Sequence, residues 1–81
     1  MTKDLNDKEI KVFVAVCKSM LDEFGELNHG FADDVYVKGM NKAQVAGYLS
    51  QLVQKDFIRM AREFHSWMEI TDKGRKLYDS L

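Results

Sequence analysis

The chain reads as mainly α with a small β-hairpin, an α+β fold, and three observations predict it. Apolar residues recur with a helical period of 3.6 near residues 7–24 and again near 42–54. Between residues 57 and 70 that period gives way to alternation. Thr71 then stands where a cap would open a last helix, from about Asp72 to Ser80, with Leu77 pointing inward.

The first helix is expected from about Asp7 to Phe24. Asn6 suits its N-cap, and Glu9 lies three residues on, the spacing of a capping box. Ile10, Phe13, Val14, Cys17, Met20, Leu21 and Phe24 form the predicted buried stripe. Val12 and Val16 fall off it, one turn apart, as a candidate subunit contact. Gly25 suits the helix end.

Residues 26–30 (ELNHG) read as a loop, and His29 has no cysteine nearby with which to hold a metal. Residues 31–39 (FADDVYVKG) carry opposed signals. Val35, Tyr36 and Val37 favour a strand. A family resemblance carried by residues 40–77 implies a short helix here instead, capped by Asp33 and closed by a turn at Gly39, and the helix is the reading adopted.

The next helix, from about Lys42 to Gln54, is capped by Asn41. Val45, Leu49, Leu52 and Val53 face inward, with Tyr48 on the edge. The opposite face is small-sided: Ala43, Ala46, Gly47 and Ser50. A glycine inside a helix costs about 1 kcal/mol against alanine and often marks a close approach by something else. In the hairpin, Ile58 and Met60 share one face, as do Met68 and Ile70. Arg59, Ala61, Trp67 and Glu69 point the other way, and Glu63, Phe64 and His65 make the turn. From that outer face Trp67 can cover Arg59 or a neighbouring helix side chain.

Composition bounds the function. Eighty-one residues, 46% hydrophobic and 31% charged, describe one folded domain over residues 1–81 with a modest core. No apolar run reaches the ~20 residues of a membrane span. The first ten residues, with Lys3, Asp4, Asp7, Lys8 and Glu9, do not read as a signal peptide, so a cytoplasmic protein is expected. Cys17 is the single cysteine, which excludes an internal disulfide. Its place on the apolar face predicts a core residue rather than a redox sensor. Net charge is −1, yet residues 1–34 sum to −4 and residues 35–81 to +3. That asymmetry fits a molecule showing its back half to an anion.

Two runs carry a family resemblance. MNKAQVAGYLSQLVQKDFI (residues 40–58) is similar to the recognition helix and first wing strand of MarR-type bacterial regulators. Asp56 stands where that family usually has glycine, in a turn that needs a positive φ. ITDKGRKL (residues 70–77) resembles the family's Leu-Thr-x-x-Gly-Arg-x-Leu at the wing's end, matched at Thr71, Gly74, Arg75 and Leu77. The hairpin is shorter than in many such proteins, and in length the chain is similar to small phage and mobile-element types. The resemblance implies a winged helix-turn-helix: a three-helix core, a wing and a short C-terminal helix. It further implies a sequence-specific, cofactor-free DNA-binding regulator of transcription, with a homodimer as a natural form.

On that reading the Lys42–Gln54 helix enters the major groove of double-stranded DNA. Asn41 and Lys42 meet phosphate at its amino end. Gln44 and Gln51 reach adenine edges, and Ala43 and Ala46 touch thymine methyls. Gly47 and Ser50 let the helix sit deep, while Lys38 reaches the backbone beside the turn. Arg59, Arg62 and His65 serve from the wing. So few cations predict a low salt slope, on the order of 3 to 5 phosphates per monomer. The alternative is a winged-helix module that binds protein instead of DNA, through the small-sided helix face and the Val12/Val16 pair. No nucleophile–base spacing and no glycine-rich phosphate loop stands out, and Asp33-Asp34 reads as a solvated pair, so no enzyme activity or metal is expected.

Overall fold

The computed structural model describes residues 5–61 and 66–81. Helix α1 (Asp7–Phe24) begins at a complete capping box. The Asn6 side chain accepts from the Glu9 N–H at 2.8 Å, and Glu9 accepts in return from the Asn6 N–H at 3.0 Å. Gly25, at φ 75°, closes the helix in the left-handed conformation expected of it. The Glu9 side chain is only 4% exposed and also takes the Lys55 ammonium at 2.9 Å. One carboxylate thus caps α1 and ties it to the end of the next helix.

The buried face of α1 overlaps the predicted stripe only in part, at Phe13, Cys17 and Met20. Val12, Phe13, Val16, Cys17 and Met20 are fully buried, whereas Leu21 and Phe24 are 36% and 39% exposed and Ile10 and Val14 half-buried. Val12 and Val16 therefore belong to the core and offer no subunit contact. Apolar residues cover more of this helix than its neighbours can, so periodicity alone leaves the centre of the face open. Glu9 lies on the same side as Val12 and Val16 and is buried with them, held by Lys55.

The second departure lies in residues 26–39. His29–Phe31 is a strand, β1, and not part of a loop. Gly30 allows it: a Cβ there would stand 3.1 Å from Met20 Cγ, so a larger residue would require the buried Met20 side chain to give way. The short helix expected over residues 31–39 is reduced to one 3-10 turn, Ala32–Asp34, followed by irregular chain. Val35 enters the core from extended backbone, in line with its β-branched preference.

Helix α2 (Lys42–Gln54) has the predicted bounds and buries Val45, Leu49 and Leu52, with Val53 and Tyr48 at the margins. Asp56 follows at φ 66°, the positive value its position demands. Strands β2 (Ile58–Met60) and β3 (Trp67–Ile70) pair antiparallel with Arg59 opposite Glu69. The turn assigned to Glu63, Phe64 and His65 lies outside the described residues. β3 also pairs with β1, giving a three-stranded antiparallel sheet in the order β1-β3-β2. Met68, Ile58 and Ile70 face the core, and Phe13 meets Phe57 edge-on at 6.0 Å.

Helix α3 (Asp72–Ser80) is fastened by the residues that carried the second half of the resemblance. Thr71 Oγ1 accepts from the Gly74 N–H at 3.0 Å and donates to the Asp56 carbonyl at 2.6 Å. Gly74 is packed so closely that a Cβ would collide with the Phe57 carbonyl and with Ile70. Arg75 donates to the Leu27 carbonyl at 3.1 Å and to the Asn28 side chain at 2.7 Å, and Leu77 is buried. The result is an α+β domain of three helices and a small sheet. Among the described residues, no helix is long and apolar enough to cross a membrane.

Candidate nucleic-acid interface

Helix α2 presents its outward face on a rigid base. Asn41 caps it by accepting from the Gln44 N–H at 2.8 Å, and Gln44 Oε1 accepts from the Asn41 N–H at 2.9 Å. The second bond revises the role assigned to Gln44. Bidentate pairing with adenine needs both ends of the amide, and here the oxygen is held by the helix's own backbone. Gln44 supports the helix end rather than waiting free for a base.

Ala43, Gly47 and Ser50 share one solvent-exposed strip, flanked by Gln51 on one side and by Lys42 and Ala46 on the other. Nothing lies within 4 Å of where a Gly47 Cβ would be. The glycine thus serves no packing need inside the molecule, although it weakens the helix.

The other predicted contacts are dispersed. Lys38 is exposed but borders α1, in a groove with Lys11, Lys18 and Tyr36. Arg59 is exposed on the sheet face opposite to Met60, with Glu69 directly across from it. Met60 lines a groove of about 470 Å³ beside α2 with Ala46, Leu49, Ser50 and Val53. Arg59 therefore projects away from the α2 strip. Arg62 and His65 lie outside the described residues. Of the proposed cations, Lys42 alone stands on α2.

Two features escape a reading of the sequence. Asp33, in the 3-10 turn, borders the same hollow as Lys42 and Ala46, so a negative charge sits beside the strip. The signal is present as an acidic pair, but its placement depends on the turn that replaces the expected helix. The second is an aromatic cluster on the outer sheet face. His29 and Trp67 rings stack at 4.6 Å, Phe31 meets Trp67 edge-on at 5.2 Å, and Phe24 closes on His29 at 4.5 Å. Trp67 thus covers β1 rather than Arg59 or a helix side chain, because β1 adds a strand where the sequence suggests a loop.

Comparison with protein-family models, with curated proteins and with solved structures finds no match. The site stands on its own geometry.

Cys17 is buried, and burial pushes its thiol up to about 12. That is the opposite of the exposed, electropositive setting in which a thiol becomes a sensor. Among the described residues, no three His, Cys, Asp or Glu side chains group together as metal ligands.

Proposed function

We propose that this chain is a winged-helix DNA-binding module that lays the outward strip of α2 in the major groove. The observation that carries the reading is Gly47. A helix-interior glycine facing open space, between Ala43 and Ser50, makes a low ridge for close approach by an external surface. A B-DNA major groove, about 12 Å wide, admits a helix of that profile. The cap at Asn41 points the positive end of the α2 dipole outward beside Lys42, which suits a phosphate. Ser50 and Gln51 remain to meet base edges. Capped recognition helix, short hairpin and stapled α3 follow one another as in the family that the sequence resembles.

Electrostatics keep the interaction modest. With Lys42 the one cation on the helix and Asp33 beside it, affinity should fall with log salt at a slope of only about −1 for the helix contact. A mobility-shift titration of Gly47→Glu tests the reading. A Cβ there meets nothing within 4 Å in the protein, so the variant should keep the fold, yet it places bulk and negative charge in the groove and should abolish duplex binding. Equal binding by the variant and the parent, or no binding by the parent at low salt, would refute the assignment.

A protein-binding reading has one observation in its favour. The groove of Ala46, Leu49, Ser50, Val53 and Met60, with Asp33 at its lip, is more apolar than a phosphate surface needs. Retention of partner binding by a folded protein that ignores all duplexes would favour that reading.

A further inference from the structure

The chain between the 3-10 turn and α2 leaves one side of α1 uncovered. Along it runs an open groove of about 610 Å³, with Ile10, Val14, Ala15 and Val37 as its apolar part and Tyr36, 75% exposed, beside them. The charges bordering this groove are segregated along the helix. Lys11 and Lys18 lie in its second and middle turns and Asp22 and Glu23 in its last, while Lys38 borders the groove from the segment that follows the 3-10 turn. Asp34 adds to the acidic end, where its hydrogen bond to Glu23 raises the Glu23 carboxyl above its ordinary range. Among the described residues, none of these charged side chains joins an ion pair.

We propose that this face of α1 is the contact between two copies of the chain, packed antiparallel about a two-fold axis. Charge complementarity selects this occupant. A helix face that is basic at one end and acidic at the other is complementary to itself when reversed, the condition for an isologous dimer. Lys11, Ala15, Lys18 and Asp22 follow the i, i+4, i+7, i+11 spacing of one stripe. An axis crossing midway between Ala15 and Lys18 sets Lys11 of each copy opposite Asp22 of the other. Ala15 and Lys18 stand equally near that axis, so the small Ala15 of each copy faces the stem of the exposed Lys18 of the other, where helices approach to about 8–10 Å. Tyr36 and Val37 then close the flank, and two ion pairs form by symmetry.

Self-association of this kind does not depend on DNA binding. A dimer would supply the second reading helix that the weak charge of α2 calls for, but its test contains no nucleic acid. Sedimentation of the parent chain should show a reversible monomer–dimer equilibrium, with a dissociation constant of about 1–100 µM for an interface of this modest size. Lys11→Glu and Asp22→Lys should each weaken self-association at least about tenfold, because each sets like charges opposite one another. Mixed in equal amounts, the two variants should recover a heterodimer. In it the introduced glutamate faces the introduced lysine, and the remaining native Asp22 faces the remaining native Lys11, so both contacts are of opposite sign. Recovery on mixing also shows that both variants fold. A parent that stays monomeric throughout, variants that associate as the parent does, or a mixture that fails to recover would each overturn the proposal.

Discussion

Single residues set much of the geometry, and several do so for reasons that a sequence can display. Asp56 is the clearest: its place after α2 demands a positive φ, and the structure has 66°. The left-handed conformation costs a non-glycine residue about 1–2 kcal/mol. Asp56→Gly should therefore raise unfolding stability by about 0.5–1 kcal/mol, after glycine's larger entropy loss is set against the relief. Gly74 makes the opposite case. Its Cβ would collide with the Phe57 carbonyl, which is backbone and cannot turn aside. Gly74→Ala should cost about 2–3 kcal/mol in a denaturant titration despite alanine's better helix propensity. Glu9 makes stability depend on acid. The Lys55 ammonium and then the Asn6 N–H hold its carboxyl below the ordinary range, against the effect of burial. A depressed folded-state value means that its contribution is complete above the unfolded value of about 4.3 and is lost as pH falls through the folded one. Thermal unfolding from pH 7 down to pH 3 should therefore fall more steeply for the parent than for Glu9→Gln.

The elements are legible in the sequence in proportion to their local signals. Helix α2 carries a capping box, an inward stripe and a turn residue at its exit, so its bounds and buried face can be read directly. The hairpin faces are readable from alternation, and the α3 staple from Thr71, Gly74 and Arg75. Helix α1 is readable in extent but not in rotation, since Ile10, Val12, Val14, Val16 and Leu21 leave several faces apolar and only the partners choose between them. β1 is illegible for a related reason. Three residues centred on glycine carry no pattern, and the strand exists because β3 supplies its hydrogen bonds and Met20 leaves room for Gly30. The candidate site divides along the same line. The α2 strip is local and can be found; the dispersal of Lys38 and Arg59 depends on how segments pack. Gly47→Ala should stabilise the protein by about 0.5–1 kcal/mol in a melt, since the new methyl meets nothing in the molecule.

Over the molecule as a whole, charge limits what the fold can do. The net charge of −1 gives no long-range attraction to a polyanion, and Asp33 lies beside the one cation of α2. Asp33→Asn should accordingly tighten duplex binding by about two- to threefold at low salt, an effect that disappears as salt rises and screens the charge. Two weak readers held together bind far better than one, which links the α2 strip to the α1 face without making either depend on the other. Whether α2 reads duplex DNA is decided by repeated selection of bound duplexes from a random-sequence pool at low salt. Major-groove reading predicts enrichment of a short motif, arranged as an inverted repeat if the two copies act together, and loss of that enrichment with Gly47→Glu. A pool that remains random after selection with the folded parent protein would contradict it.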